Sequence, residues 1–475
     1  MMGSGLLSLP PELSAIVISY LHNKEVKVLR LTCRHLCQTT RLRFDRVFLS
    51  PNPTNISVFR AVASHEFFRH GVTEIIYDDA RLFMHDSGEF DREEGCPAWF
   101  AKECRGNIFR LCNFGALHQR PQDHLARIEQ FAAQPPLKIC WQHYQNLIHQ
   151  QAEAVLSNSD RDTLVYGLKR FPRLRRVTVT VAAHGSFYAP LYPTPMIRTF
   201  PRGFNYPLPR GLPVSNDHGC PHFGRPCEKK KTENWRGYWL VTRVLAEQAR
   251  NHSVTELIID VNGISTGLPS AIFEAPCEEY EHLRQILQQP GFTRLDLPLS
   301  VDGQEYPPIH EHSWSYFRGT YLRHALEDAK DLASLNLWTD VCGGSRKHLM
   351  PMSIIFPVQS WTKLRHFGIT GFPVDQADMI AFLALLPKTI RSVKLGLLRF
   401  VDYGGNWTGL LTDMRDQLGW RERDDASRPR VILELAPSPL MVGMGVQVLE
   451  EAVDDFLYGS GPNPIDWRYP DGTIF

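Results

Sequence analysis

The chain has 475 residues, 43% of them hydrophobic, with 52 Lys plus Arg against 51 Asp plus Glu. That length accommodates two or three ordinary domains, or one small module followed by an extended repeat array, with ample apolar content for a core. The near-zero charge balance supplies no long-range field toward nucleic acid or anionic lipid, and the longest clearly apolar run, Ile380 to Leu386, is far shorter than the roughly 18 residues of a membrane span, so neither nucleic acid nor membrane is expected as a partner.

In chain order, Met1 to Pro10 lacks a basic n-region and a long apolar h-region, and Gly3 with Leu7 does not form a myristoylation signal. Secretion and lipidation are therefore not expected. The ten cysteines are scattered rather than regularly spaced, the usage of reduced thiols in cytoplasm or nucleus, and no disulfide is expected.

Residues 9–37 read LPPELSAIVISYLHNKEVKVLRLTCRHLC. Leu13, Ile16, Val17, Tyr20 and Leu21 fall at i, i+3, i+4, i+7 and i+8 and make one apolar stripe on a helix. Pro10 and Pro11 suit the first turn, where a missing N–H costs nothing, and His22-Asn23 interrupts the pattern at the other end. A second helical stretch carries Leu29, Cys33, Leu36 and Thr40 on one face. Two or three short helices of about forty residues bury little surface, so this module is expected to lean on a partner or on the domain behind it.

Leu9-Pro10, Glu12-Leu13, Ile16, Leu21, Leu29, Thr32-Cys33-Arg34 and Leu36 stand in the order and spacing of the F-box motif, which this segment resembles. Residues 44–82 also look like the segment that follows the F-box in many proteins of filamentous fungi. The resemblance implies a helical module over 1–43 that binds the Skp-type adaptor of a cullin-RING ubiquitin ligase. It assigns adaptor contact to Leu9, Pro10, Leu13, Ile16, Leu21, Leu29 and Leu36, and structural support to Cys33 and Arg34. One departure is Leu36, where many F-boxes carry an aromatic residue. The pattern alone also fits an amphipathic helical hairpin in the core of the larger domain.

Over residues 44–475 a pattern of apolar, two variable, apolar, one variable, apolar recurs. Its copies are Val72, Ile75, Tyr77; Leu174, Val177, Val179; Val254, Leu257, Ile259; Phe292, Leu295, Leu297; Leu332, Leu335, Leu337; Leu364, Phe367, Ile369; and Ile390, Val393, Leu395. The alternating pair that ends each copy has the period of a strand. Helical spacing lies between them at Trp235 to Ala249, Glu278 to Leu287, Tyr321 to Ala329 and Asp375 to Leu386, which implies parallel strands with helices outside. The later middle residues are 38, 40, 32 and 26 apart. Such intervals resemble an irregular leucine-rich-repeat solenoid. The fold class expected is therefore α/β: a small all-helical F-box module followed by an irregular leucine-rich-repeat-like solenoid with parallel strands. The alternative is a doubly wound α/β domain, although no G-x-G-x-x-G or G-x-x-x-x-G-K-[ST] phosphate loop occurs. Earlier gaps of 102 and 80 residues are expected to hold degenerate units or insertions.

The segment 183–231 interrupts the array with nine prolines and seven Phe or Tyr residues. It is expected to be neither helix nor central strand, and to project from the rim either as a binding loop or as a loop without a role.

Candidate chemistry is sparse. His65 and His70 are five apart, about 140° around a helix, and cannot share a metal as an i, i+4 pair would. His218, Cys220, His222 and Cys227 offer zinc-ligand chemistry at spacings of no standard finger, and His310-Glu311-His312 has no evident third ligand. Adjacent carboxylates at Asp78-Asp79, Glu278-Glu279 and Asp454-Asp455 point different ways on helix or strand. No catalytic residue, metal or cofactor is expected, and Lys229-Lys230-Lys231 is a short solvated basic run.

The resemblance thus implies a non-catalytic receptor subunit of an SCF-type ligase, joined through the adaptor to cullin and gripping a protein substrate with the repeat domain. Residues between the apolar positions would face the substrate, which singles out Arg294 and a basic patch of Arg365, His366, Arg391 and Lys394 for an acidic or phosphorylated segment. Trp338 is a further anchor candidate. An interaction scaffold whose F-box assembles no active ligase, and an enzyme with an accessory F-box, remain the alternatives.

Overall fold

The computed structural model describes residues 9–84, 89–114, 121–209, 235–262, 264, 266–301, 313–339, 349–435 and 446–465. Three short helices open it: α1 (Pro11–Ser19), α2 (Asn23–Thr32) and α3 (Arg34–Thr39). Pro11 starts α1, and Cys33 is extended at φ −159°, ψ 162°, which separates α2 from α3. Strand β1 (Arg46–Leu49), helix α4 (Pro53–Ser64) and strand β2 (Glu74–Asp78) follow. Asn52 caps α4 by accepting the Thr54 N–H at 2.9 Å.

A two-residue pair, β3 (Phe90–Asp91) and β4 (Cys96–Pro97), leads into α5 (Ala98–Phe114), α6 (Pro121–Ala132), α7 (Leu137–Leu156) and α8 (Ser159–Leu168) before β5 (Arg176–Thr180). The chain continues through α9 (Pro195–Arg198), α10 (Arg236–Glu247), β6 (Glu256–Asp260), β7 (Leu268–Pro269), α11 (Glu278–Leu287), β8 (Arg294–Ser300), α12 (Tyr321–Asp328) and β9 (Ser334–Thr339). It ends with α13 (Met352–Ile355), β10 (His366–Thr370), β11 (Pro373–Val374), α14 (Gln376–Ala384), β12 (Ser392–Gly396), β13 (Arg399–Phe400), α15 (Trp407–Gln417), β14 (Arg430–Leu435), β15 (Gln447–Leu449) and α16 (Glu451–Tyr458).

The main sheet is ordered β1-β2-β5-β6-β8-β9-β10-β12-β14-β15, with β7 added beside β8, so neighbours in space follow one another along the chain. Every pair is parallel except β14 with β15. The protein is thus a mixed α/β fold built on one large, mostly parallel sheet. Register explains the recurring triplets. Val47, Ile75, Val177, Leu257, Leu295, Leu335, Phe367, Val393 and Val431 stand directly opposite one another across nine strands.

All residues of the seven predicted triplets are buried, and those side chains share one core with the inward faces of α4, α8, α10, α11, α12, α14, α15 and α16. At the end of β10, Gly371 has φ +79°, and a Cβ there would stand 2.3 Å from the Thr339 carbonyl oxygen, so this close approach requires glycine.

Among the described residues, the long gaps hold helices rather than further main-sheet strands. Helices α5 and α7 build a second core with Phe187, Met196, Phe204, Tyr206 and Leu208. This corrects the expectation for the Pro-rich segment, whose described part, 183–209, packs inward instead of projecting and contains the one-turn helix α9. Its aromatic rings supply large buried area, and the Asn205 side chain donates to the Cys104 carbonyl at 3.1 Å while Asn107 donates to Tyr206 O at 2.8 Å. The second core is tied to the end of β2, where Gln151 pairs with both backbone groups of Leu82 at 3.0 Å.

Leu335 lies inside the apolar row, fully buried between Leu295 and Phe367. Leu335→Ala is expected to lower unfolding free energy by about 2–5 kcal/mol, read from urea titrations. A change below about 0.5 kcal/mol would show that the row is not a packed core.

Candidate partner-binding surface

Helix α1 buries none of its side chains. It is held instead by polar contacts at its C-terminal end, where the Arg43 guanidinium donates to Ser19 O at 2.8 Å, to Ile18 O at 3.3 Å and to Leu21 O. Asn23 in turn accepts the Arg43 N–H at 2.9 Å. These bonds satisfy carbonyls that any helix end leaves open. The apolar stripe is left facing outward: Leu13 is 49% exposed, Ile16 54% and Tyr20 80%, with Leu9 and Val17 also exposed.

Leu21 and Leu29 are half-buried and Pro10 is exposed. Leu36 is only 8% exposed and so offers little surface for the adaptor contact that the resemblance assigns to it. Residues not assigned by the motif, Val28 and Leu31, are exposed on α2, Leu31 to 87%. The helical spacing predicts one stretch continuous through Cys33, and the break there re-aims everything beyond it. Cys33 is half-buried at that break, and Arg34 is exposed at the start of α3.

On the sheet, the side chains between the apolar rows form a second surface. Its first row runs Arg46, Glu74, Arg176, Glu256, Arg294, Ser334, His366, Ser392, Arg430. Opposite charges pair along it: Arg46 with Glu74 at 3.2 Å and Arg176 with Glu256 at 2.7 Å. A directed chain of hydrogen bonds then crosses three strands. His366 Nε2 meets Asn336 Oδ1 at 2.8 Å, Asn336 Nδ2 donates to Asp296 Oδ1 at 3.0 Å, and Arg294 holds Asp296 Oδ2 at 2.6 Å. Gly368 makes room for it, since a Cβ there would lie 2.0 Å from Asn336 Oδ1.

These contacts correct the expected basic patch. Arg294 is neutralised by Asp296 and Lys394 by Glu434, at 2.8 Å, while burial lowers the pKa of His366 and favours its neutral form. Arg365 and Arg391 are exposed but precede their strands, and Arg391 turns onto the Lys388 and Ile390 carbonyls at 2.9 Å. Trp338 is half-buried and packs against the main core. The structure therefore brings Arg294, His366, Lys394 and Trp338 to one polar face of mixed charge, with Arg365 and Arg391 at its edge.

Two carboxyls at the end of β2 are buried and turn apart. Asp78 Oδ1 accepts the Ala80 N–H at 3.0 Å, whereas Asp79 lies against Gly237 and 3.7 Å from Arg81. Burial raises Asp78 to about 7 and Asp79 to about 6. Nearby His184 is buried with Nδ1 2.6 Å from the Tyr206 hydroxyl, and burial depresses it to about 4. Of the remaining histidines considered, His65 stacks on Phe68 and accepts the Phe67 N–H at 3.2 Å. His218, Cys220, His222, Cys227, Lys229 to Lys231 and His310 to His312 lie outside the described residues. Among the described residues no helix is long and apolar enough to cross a membrane.

The chain matches no model of a known protein family and no curated protein.

The raised Asp78 gives a pH prediction. In the folded state it keeps a proton up to about pH 7 that an unfolded aspartate loses near 3.8, so its favourable contribution is full below that value and is lost as pH rises to 7. The depressed His184 works oppositely, its contribution being present above about 6.5 and lost as pH falls toward 4. Asp78→Asn is expected to stabilise the protein at pH 8 by on the order of 2 kcal/mol, with the gain shrinking toward pH 5, as followed by thermal melts. An equal gain at both pH values would exclude the buried charge as its source.

Proposed function

We propose that this chain is the substrate-recognition subunit of an SCF-type cullin-RING ubiquitin ligase, with α1 to α3 forming an F-box that docks a Skp-type adaptor. The observation that carries this reading is the outward apolar stripe of α1, which the other described residues leave uncovered. Covering the exposed halves of Leu9, Leu13, Ile16 and Val17 contributes roughly 4 kcal/mol, about half of what a micromolar complex requires. Tyr20, Val28 and Leu31 therefore belong to the docking surface as well.

The sheet domain, in this reading, is an irregular leucine-rich-repeat-like solenoid. Supporting it are the strand order, which never reverses as a doubly wound sheet does, and the helix layer, in which α10 to α16 contact one another in succession. The chain contributes no bond chemistry. It acts by proximity, holding a substrate so that a ubiquitin-charged enzyme elsewhere in the complex meets its lysines at high local concentration. The paired charges around Arg294, Asp296, Lys394 and Glu434 favour a substrate surface of mixed polarity over an acidic or phosphorylated segment.

The test is co-purification of the full chain with a Skp-type adaptor and cullin, comparing wild type with a Leu13→Asp, Ile16→Asp variant. Both sites are exposed, so the variant is expected to melt like wild type while losing adaptor and cullin together. Undiminished adaptor capture by the variant would sink the proposal. Adaptor captured without cullin would leave a scaffold in place of a ligase subunit.

A further inference from the structure

Turns and loops leading into β2, β5 and β6 enclose an open cleft of about 420 Å³, at the sheet edge where those strands begin. Four permanent cations line it: Arg69 before β2, Lys169 and Arg170 between α8 and β5, and Arg250 between α10 and β6. No Asp or Glu among the described residues lines the cleft, and none of the four makes an ion pair there. Arg69 Nε is buried with no hydrogen-bond partner. Arg170 is steadied by the Tyr166 ring, 5.0 Å from its guanidinium carbon. Exposed Arg173 and Arg175 continue the basic run just outside.

The convergence exceeds what the surrounding structure uses. Helices α8 and α10 both end here, and each helix C-terminus carries about half a negative charge, so the two together offset only about one of the four cations. In a chain of formal net charge +1, the remaining surplus of about +3 is concentrated in one concave site. His252 does not add to it. Its Nδ1 accepts the Val254 N–H at 3.1 Å and its Nε2 reaches Leu245 O at 3.0 Å, so both nitrogens are committed to shaping the wall.

We infer that this cleft binds a small polyphosphorylated anion, with Arg69, Lys169, Arg170 and Arg250 as its charge partners and the Ser253 hydroxyl as a further donor. The volume lies within the roughly 300–1,000 Å³ of small-molecule sites. Nucleic acid is disfavoured because Phe171 is buried and the exposed His70 is a single ring, which provides no run of stacking faces for successive bases. An acidic peptide is disfavoured because Leu168 and Phe171 are turned into the core and the exposed Pro172 alone makes no apolar slot for side-chain anchors. The inference is independent of adaptor docking, since none of these residues belongs to α1, α2 or α3.

The test is calorimetric titration of the full chain with inorganic tripolyphosphate, pyrophosphate and orthophosphate. Affinity is expected to fall in that order and to weaken with added salt. An Arg170→Glu, Arg250→Glu variant, altered at two exposed positions, is expected to bind tripolyphosphate at least about tenfold more weakly, while Arg399→Glu on β13 leaves it unchanged. Should the double variant not fold, Lys169→Gln supplies the same comparison with a smaller loss. The inference is overturned if millimolar tripolyphosphate gives no binding heat, or if Arg399→Glu weakens binding as much as the cleft variant. It is equally overturned if a short oligonucleotide or a Glu-rich peptide binds more tightly than tripolyphosphate through the same arginines.

Discussion

Nine apolar side chains, from Val47 to Val431, stand opposite one another across nine consecutive parallel strands, and the remaining architecture depends on that row staying unbroken. Side chains alternate faces along a strand, so a one-residue slip at any pairing would turn Leu295 or Leu335 outward and bring a charged or amide neighbour into the core. Removing the row's apolar area from water draws α4, α8 and α10 to α16 onto the same side, where each hides its apolar face against the row. The helix layer then inherits the strand order.

The opposite face obeys a different rule. There the side chains remain partly solvated, and the alternation of Arg and Glu along the first row lets neighbours on adjacent strands satisfy one another. Such cross-strand pairs contribute roughly 0.2–1 kcal/mol each, too little to hold the sheet together but enough to penalise a wrong register. The chain from His366 through Asn336 and Asp296 to Arg294 does the same with hydrogen bonds. A surface assembled this way is polar without being strongly charged, which is why counting basic residues along individual strands overstated its positive character.

The strands were the most legible part of the sequence, because burial on one face writes a period that survives in the residues themselves. All seven triplets became strands of the main sheet. Strand β1 carries the same pattern at Phe44, Val47 and Leu49 and could have been found by it, whereas β14 has Arg428 where the first apolar residue would stand and gives a weaker signal. What the sequence hid was non-local. The Pro-rich segment looked like a free loop because its burial depends on α5 and α7, about ninety and about fifty residues earlier in the chain. Lys394 looked unpaired because Glu434 becomes its neighbour only through strand pairing. The apolar stripe of α1 was legible in full, whereas the exposure of Val28 and Leu31 on α2 was not, because the motif assigns no role to either.

Both borders of the sheet are blunt. The first strand, β1, has four residues, and β15, at the other end, has three and runs against the direction of the rest. Unpaired N–H and C=O groups on a long, flat border act as a template on which a neighbouring molecule lays its own strand. Here both borders, four and three residues long, are too short to nucleate such growth. Extension from one molecule to the next is thereby discouraged, which keeps a fold built by stepwise addition of strands from propagating as a fibre.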